Sequence, residues 1–266
     1  MQPTNPRGVG MRTRSGMAVA AIVALSASII ATPSASAEDT TPPVIHSIDV
    51  RPETIVLYKT SEMRVVVDVK ITDDVGVTSA TAWLWRNVSN YNGYIGLGPD
   101  LELVSGTPQS GTWRAVFSFD INASPGAWKA EAVAFDAAFN EAGSGFLDRF
   151  FVKRNTVISN FNVVEPVARG SYIRMSGRLF RLTVTYPRSG PLGSYVGYGN
   201  KTIHVLFRPT GATNWREQGT VTTTSLGYFT NSRSFRAWRD GAWRVRFDGT
   251  PSYLSGTSHV DYVDVR

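Results

Sequence analysis

Arg64-Val65-Val66-Val67-Asp68-Val69-Lys70-Ile71 sets Val65, Val67, Val69 and Ile71 at every second position. Trp113, Ala115, Phe117 and Phe119 repeat the spacing, as do Trp128, Ala130, Ala132 and Ala134. A period of two marks strands with one face on a core and the other in water. Turn residues separate the runs at Asp73-Asp74-Val75-Gly76, Asn92-Gly93, Gly106-Thr107-Pro108 and Ser124-Pro125-Gly126. The pattern predicts strands near 44–50, 54–58, 64–72, 78–86, 111–119, 126–136 and 146–153. It predicts a second set near 157–164, 172–184, 201–208, 216–224, 228–236, 242–248 and 260–265. No segment after residue 37 shows a helical period. About seven short strands per half implies an all-β chain of two antiparallel sandwiches in tandem.

One device occurs twice. Gly111-Thr112-Trp113 leads to Phe119 and then to Gly126-Ala127-Trp128-Lys129, and Gly227-Tyr228-Phe229 leads to Phe235 and then to Gly241-Ala242-Trp243-Arg244. We read each as an aromatic-led strand, a Gly-containing reversal, and a Trp anchoring the return strand in the core. The boundary is expected near Lys153-Arg154-Asn155-Thr156, through a short connection. Tyr186 to Asn200 reads as a long Gly/Pro/Ser/Tyr loop. Trp83-Leu84-Trp85 alternates in either phase. Turned inward, both Trp side chains pack in the core, which is the expectation; turned outward, they offer rings for stacking on sugars.

The N-terminus stands apart. Arg12 and Arg14 precede an apolar stretch from Ala18 to Ile30, and Ala35-Ser36-Ala37 supplies a small-residue cleavage pattern. Residues 1–37 therefore read as a secretory signal peptide, with Met11 as an alternative start. The apolar stretch is short for a bilayer span of roughly 20 residues. The remainder divides into domains at 38–154 and 155–266, with no further membrane span expected. The chain has no cysteine, so disulfides, thiolate chemistry and Cys-ligated metals are excluded. Its overall charge of +6 conceals an asymmetry. Residues 38–154 carry 10 Lys+Arg against 15 Asp+Glu, a net of −5, and residues 155–266 carry 14 against 6, a net of +8. An acidic half followed by a basic half implies different partners for the two, or each other.

Asp39-Thr40-Thr41-Pro42-Pro43-Val44-Ile45, Thr72-Asp73-Asp74-Val75-Gly76-Val77 and Ala134-Phe135-Asp136-Ala137-Ala138-Phe139-Asn140 together resemble bacterial immunoglobulin-like modules. The second half is similar to modules of secreted actinobacterial proteins, through Thr156 to Phe161, Val167 to Gly177 and Asp261 to Arg266. The resemblance covers most of 38–266 and implies fold more than task. The family's usual ending is Asp-x-Ala-Gly-Asn, and Phe139 stands in the glycine place, where a positive-φ turn suits a side chain less well. An immunoglobulin-like sandwich gathers the start of its first strand and two of its loops at one end. That brings Asp39, Asp73, Asp74, Asp136 and Asn140 together, with Glu141 nearby, as an oxygen set for calcium. The other reading is that these are corner residues bonding nearby backbone amides.

Arg233, Arg236, Arg239, Arg244 and Arg246 form the candidate anion-binding set, with Arg174, Arg178 and Arg181 on another strand. Guanidinium groups beside Tyr and Trp suit phosphate or carboxylate polymers. The alternatives are a solubilising face or a contact with the acidic half. His46, His204 and His259 have no neighbouring nucleophile, and hydrolase and phosphate-loop motifs are absent. The Asn87-Val88-Ser89 sequon is not expected to be used. The expectation is a non-catalytic, exported protein, extracellular or wall-associated, that binds an anionic wall polymer or a protein partner through the arginines and the Tyr-rich loop. No nucleic acid is expected, and no cofactor beyond calcium. Calcium binding is the alternative role, and a secreted hydrolase built on two carboxylates is a third.

Overall fold

The computed structural model describes residues 38–60, 62–88, 91–144, 148–165, 167–188 and 190–266, with the backbone alone for 87, 88 and 91–98. The expected leader and Ser89 of the sequon lie outside the described residues. Ten strands build the first sandwich: β1 (Val44–Arg51), β2 (Thr54–Leu57), β3 (Met63–Thr72), β4 (Val77–Val88), β5 (Tyr91–Asp100), β6 (Glu102–Thr107), β7 (Ser110–Phe119), β8 (Gly126–Asp136), β9 (Glu141–Gly143) and β10 (Asp148–Arg154). The second holds β11 (Thr156–Val163), β12 (Met175–Thr185), β13 (Leu192–Gly197), β14 (Thr202–Pro209), β15 (Arg216–Thr222), β16 (Tyr228–Asn231), β17 (Gly241–Phe247), β18 (Gly256–Thr257) and β19 (Asp261–Val263). Among the described residues there is no helix, so none is long and apolar enough to cross a membrane.

In the first sandwich, β1-β3-β7-β6 form one sheet and β2-β10-β8-β4-β5 the other, with β9 beside β8. This is the immunoglobulin order, with the first strand divided so that β2 joins the opposite sheet in parallel with β10. In the second sandwich β11-β12-β13, with β16 also on β12, faces β15-β14-β17 with β18 and β19 on β17. Each sandwich has its own core. Val65, Val67, Val69 and Ile71 pack against Trp128, Phe150 and Phe119 in the first. Ile203, Val205 and Val245 pack with Phe229, Phe235 and Trp243 in the second. The twice-used device places both return-strand Trp side chains inside: Trp128 lies edge-on to Phe119 at 5.4 Å, and Trp243 lies 6.4 Å from Phe235.

Four expectations need correction. Trp83 and Trp85 point outward, half-buried, while Ala80, Ala82 and Leu84 face the core. Register explains this, because Ala80, Ala82 and Leu84 pair with Ala134, Ala132 and Ala130 beneath the large rings of Phe119, Trp128 and Phe150. Two more indoles in that layer would overfill it. The Tyr186–Asn200 stretch is not simply a loop, since β13 pairs along β12 from Thr185–Leu192 to Phe180–Gly197. The strand expected over 228–236 ends at Asn231, whose side chain bonds the carbonyl of Ile173 and starts the turn that follows. Strands β5 and β6 lie where the pattern predicts none. Their Gly, Ser and Asn content hides the alternation.

The sandwiches meet without a linker. Arg154 N–H donates to Ser252 and Leu254 N–H to Arg154, while Asn155 N–H donates to Leu57 and Leu182 N–H to Asn155. The Arg154 guanidinium donates to the carbonyls of Ile121 and Ala123. Asn155 bonds the Tyr195 hydroxyl, and Lys59 stands over the Tyr195 ring at 5.4 Å. Gly193 packs closely there, where an added Cβ would lie 2.6 Å from the end of the Ile121 side chain and 3.3 Å from the Lys59 backbone.

Candidate functional site

The acidic corner is built by three segments at one end of the first sandwich. Asp39 precedes β1, Asp73 and Asp74 lie in the β3–β4 turn, and Asp136 to Asn140 form the β8–β9 turn. Asp73 Oδ2 accepts from the N–H groups of Val75 and Gly76, and Asp39 Oδ1 accepts from Thr41 N–H. Asp73 Oδ1 and Asp39 Oδ2 are buried without a hydrogen-bond partner. One carboxylate oxygen each from Asp39, Asp73 and Asp74 lie within 4.8 Å of one another.

Asp136 and Asn140 do other work. Asp136 Oδ1 accepts from Ala138 N–H and Asn140 N–H, and Oδ2 accepts from the Asn140 amide, which also donates to the Asp39 carbonyl. Burial alone would raise the Asp136 pKa, but the bonds from Asn140 and Ala138, and a smaller contribution from the Asp39 side chain, favour the anion and bring it below the ordinary carboxylate value. Asp39 and Asp73 thus hold backbone amides as Asp136 does, and among the described residues Asp39, Asp73 and Asp74 also bring carboxylate oxygens together. Phe139 does adopt the positive φ of 64° and stands 85% exposed, so its ring takes no space from the core. Glu141 opens β9 and is exposed.

The arginine set is split between two places. Arg244 and Arg246 share the outer face of β17, with Trp243, Val245 and Phe247 inward. Arg246 is paired with Asp248, and the Arg244 and Arg208 guanidiniums lie 4.2 and 4.9 Å from the Trp215 ring centre. Burial, with repulsion from Arg208 and Arg246, lowers the Arg244 pKa. Arg178 and Arg181 are also taken up. Arg178 bonds Leu226 and the Tyr228 hydroxyl, and Arg181 stacks on Tyr198 and Tyr253. Tyr198 is buried and Tyr195 serves the joint, so much of the Tyr-rich stretch is structural.

Arg233 and Arg236 instead line an open depression of about 660 Å³ with Arg169, Tyr172, Arg174 and Trp238. Arg239 lines a narrower one of about 170 Å³ with Arg216, Gln218, Phe207 and Trp243, and both depressions share Arg236 and Trp238. The bridge between Tyr172 and Arg236 joins the turn after β11 to the segment after β16. Arg236 donates to Gly170 and the Tyr172 hydroxyl and lies 4.0 Å from that ring's centre. Among the described residues no carboxylate lines either depression. Among the described residues no ion pair or hydrogen bond engages the guanidinium of Arg169, Arg174, Arg216, Arg233 or Arg239, and all five are exposed. Sequence reasoning missed Arg169, Tyr172, Arg216 and Trp238, whose segments lie far apart along the chain. The usable signal was charge, since the 155–266 half has arginines in excess of acids.

No family model matches the chain, and no curated protein matches it. Among solved structures it is similar to a red sea bream transglutaminase, at 14% identity and a TM-score of 0.33 over 86% of this chain and 32% of that one. It is also similar to the GspB Siglec domain, at 17% identity and a TM-score of 0.27 over 50% of this chain and 65% of that one. The chicken CNTN1 FN1–FN3 domains follow at 15% identity and a TM-score of 0.26 over 84% of this chain and 66% of that one. The chain therefore spans about a third of the transglutaminase and just under two thirds of the other two. Likeness at this level says nothing of what the chain binds.

Proposed function

We propose that the protein is a non-catalytic, exported binding protein whose second sandwich holds an anionic polymer in the arginine-lined depressions. One observation carries this reading: five exposed arginines without partners line two adjoining depressions in which, among the described residues, there is no carboxylate. Unpaired guanidiniums offer forked donors to phosphate or carboxylate groups, and an acid-free concavity concentrates their field. The lowered pKa of Arg244, from burial and then from Arg208 and Arg246, reflects crowded positive charge on the neighbouring face too. The test is binding of residues 38–266 to labelled polyanions at rising salt. Affinity should fall steeply with salt, and Arg233→Gln with Arg174→Gln should weaken it. Salt-independent binding, no binding at low salt, or tighter binding to duplex DNA of equal charge would each sink this reading.

A second reading is favoured by its own observation. The unpartnered, buried oxygens of Asp39 and Asp73, in residues whose carboxylates cluster with that of Asp74, suit a hard cation that takes oxygen ligands. Calcium bound there would tie the chain before β1 to the β3–β4 turn, with backbone carbonyls or water completing the shell. Calorimetric titration of calcium into chelator-treated protein tests it, and absence of binding at millimolar calcium removes it.

A further inference from the structure

We infer that Trp238 makes the depression selective for anionic glycans over polyanions that lack a sugar ring, an inference that rests on the anionic-polymer reading above. Among the described residues Trp238 is the only aromatic one lining both depressions, and it stands 60% exposed. It packs over Gly170, where an added Cβ would lie 3.3 Å from the ring, so the indole is held at one side while much of its surface meets solvent. Tyr172, 42% exposed, also lines the wider depression, with one face occupied by Arg236. An aromatic surface between unpaired cations suits a repeating unit that carries an apolar C–H face and an anionic group together. A sugar ring with a carboxylate or phosphate has both. Polyglutamate and inorganic polyphosphate have the charge but no ring to stack.

The two depressions also differ in what they admit. The wider is ringed by Arg169, Arg174 and Arg233, and the narrower is walled by Phe207 and Trp243 with Arg216 and Arg239 at hand. A linear glycan crossing Trp238 would set one charged unit among the first arginines and the next beside the second pair. Because Arg236 is bonded to Gly170 and Tyr172, it holds the wall between them in place.

The test compares polygalacturonate, polyglutamate and neutral dextran on residues 38–266 by fluorescence anisotropy at one ionic strength. Trp238→Ala should weaken polygalacturonate binding roughly tenfold, the scale of a lost aromatic contact, and leave polyglutamate binding unchanged. Trp238→Phe should keep most of the preference, which separates loss of stacking from collapse of the Gly170 turn. Arg233→Gln should weaken both polyanions alike, and dextran should not bind measurably. If Trp238→Ala lowers both polyanions equally, or the native protein binds them equally, the glycan inference falls while the anionic-polymer reading stands. If neither polyanion binds the native protein, both fall.

Discussion

Replacing Asp73 by Asn separates a cation site from a plain corner, because the two give opposite signs. The amide retains an oxygen for the Val75 and Gly76 N–H groups, so the turn keeps its acceptor. What disappears is one negative charge among three whose oxygens lie within 4.8 Å. At that distance a pair of like charges costs about 1 kcal/mol in water-like surroundings and about 3.5 kcal/mol at an effective dielectric near 20. In chelator, then, Asp73→Asn should melt at the native temperature or above it. With calcium at a hundred times its Kd, the native protein should gain about 2.7 kcal/mol, which the variant should lack. For a chain of this length that is a shift of roughly 5–10 °C. Thermal unfolding of residues 38–266 by circular dichroism, with and without calcium, reads both effects. Identical native curves in the two conditions refute the cation, and a variant that melts well below the native protein in chelator refutes the repulsion.

Asp136 should matter chiefly through pH. Its folded pKa lies below the ordinary 3.8, so its contribution is present above that value and is lost as pH falls through the folded one. Asp136→Asn should flatten acid unfolding below about pH 4, and an unchanged acid limb would contradict the bonding described. Phe150→Ala removes a fully buried ring from beside Trp128 and Phe119. It should cost about 3–5 kcal/mol in denaturant unfolding, and a loss under about 1 kcal/mol would mean the cluster is not the core. Arg154→Ala leaves the carbonyls of Ile121 and Ala123 without their donor. It should cost about 1–3 kcal/mol and broaden the small-angle scattering profile as the joint loosens, and an unchanged profile would show that backbone bonds alone hold it.

Legibility followed chemistry. Strands β3, β7 and β8 announced themselves because a half-buried strand must alternate, and theirs do so with large apolar residues. Strands β5 and β13 were hidden because Gly, Asn and Ser satisfy a ladder hydrogen bond without marking a face. The phase of Trp83 and Trp85 could not be read locally, because it depends on how much volume β8 and β10 already place in that layer. The acidic corner was legible because an immunoglobulin-like order fixes which turns share an end. Which of its carboxylates come together was not, since that depends on which amides reach Asp136. Of the arginine depressions, Arg233, Arg236 and Arg239 were legible as a cluster in sequence, while Arg169 and Arg216 were legible only as excess charge. Arg169 and Arg174 meet Arg233 and Arg236 through the Tyr172–Arg236 bridge, which spans more than sixty residues of sequence.

The same topology fixes how the two candidate sites relate. Gly126 pairs with Val152 near the joint, so β8 carries Asp136 away from it. Strand β11 starts at the joint with Thr156 and runs to Val163, so the turn bearing Arg169 to Arg174 lies at the opposite end of the second sandwich. At about 3.3 Å per residue, each route covers roughly 25–35 Å. The acidic corner and the depressions therefore lie several Debye lengths apart, since that length is about 8–10 Å in physiological salt. Attraction between calcium and the polyanion cannot link them, and coupling would have to pass through the Arg154–Asn155 joint as a change between two arrangements. The joint is closed by backbone hydrogen bonds on both sides, which a second arrangement would have to break. Calcium should accordingly leave polygalacturonate affinity unchanged within about twofold when ionic strength is matched. A tenfold shift would show that the joint has a second arrangement, and that the two ends of the protein are read together.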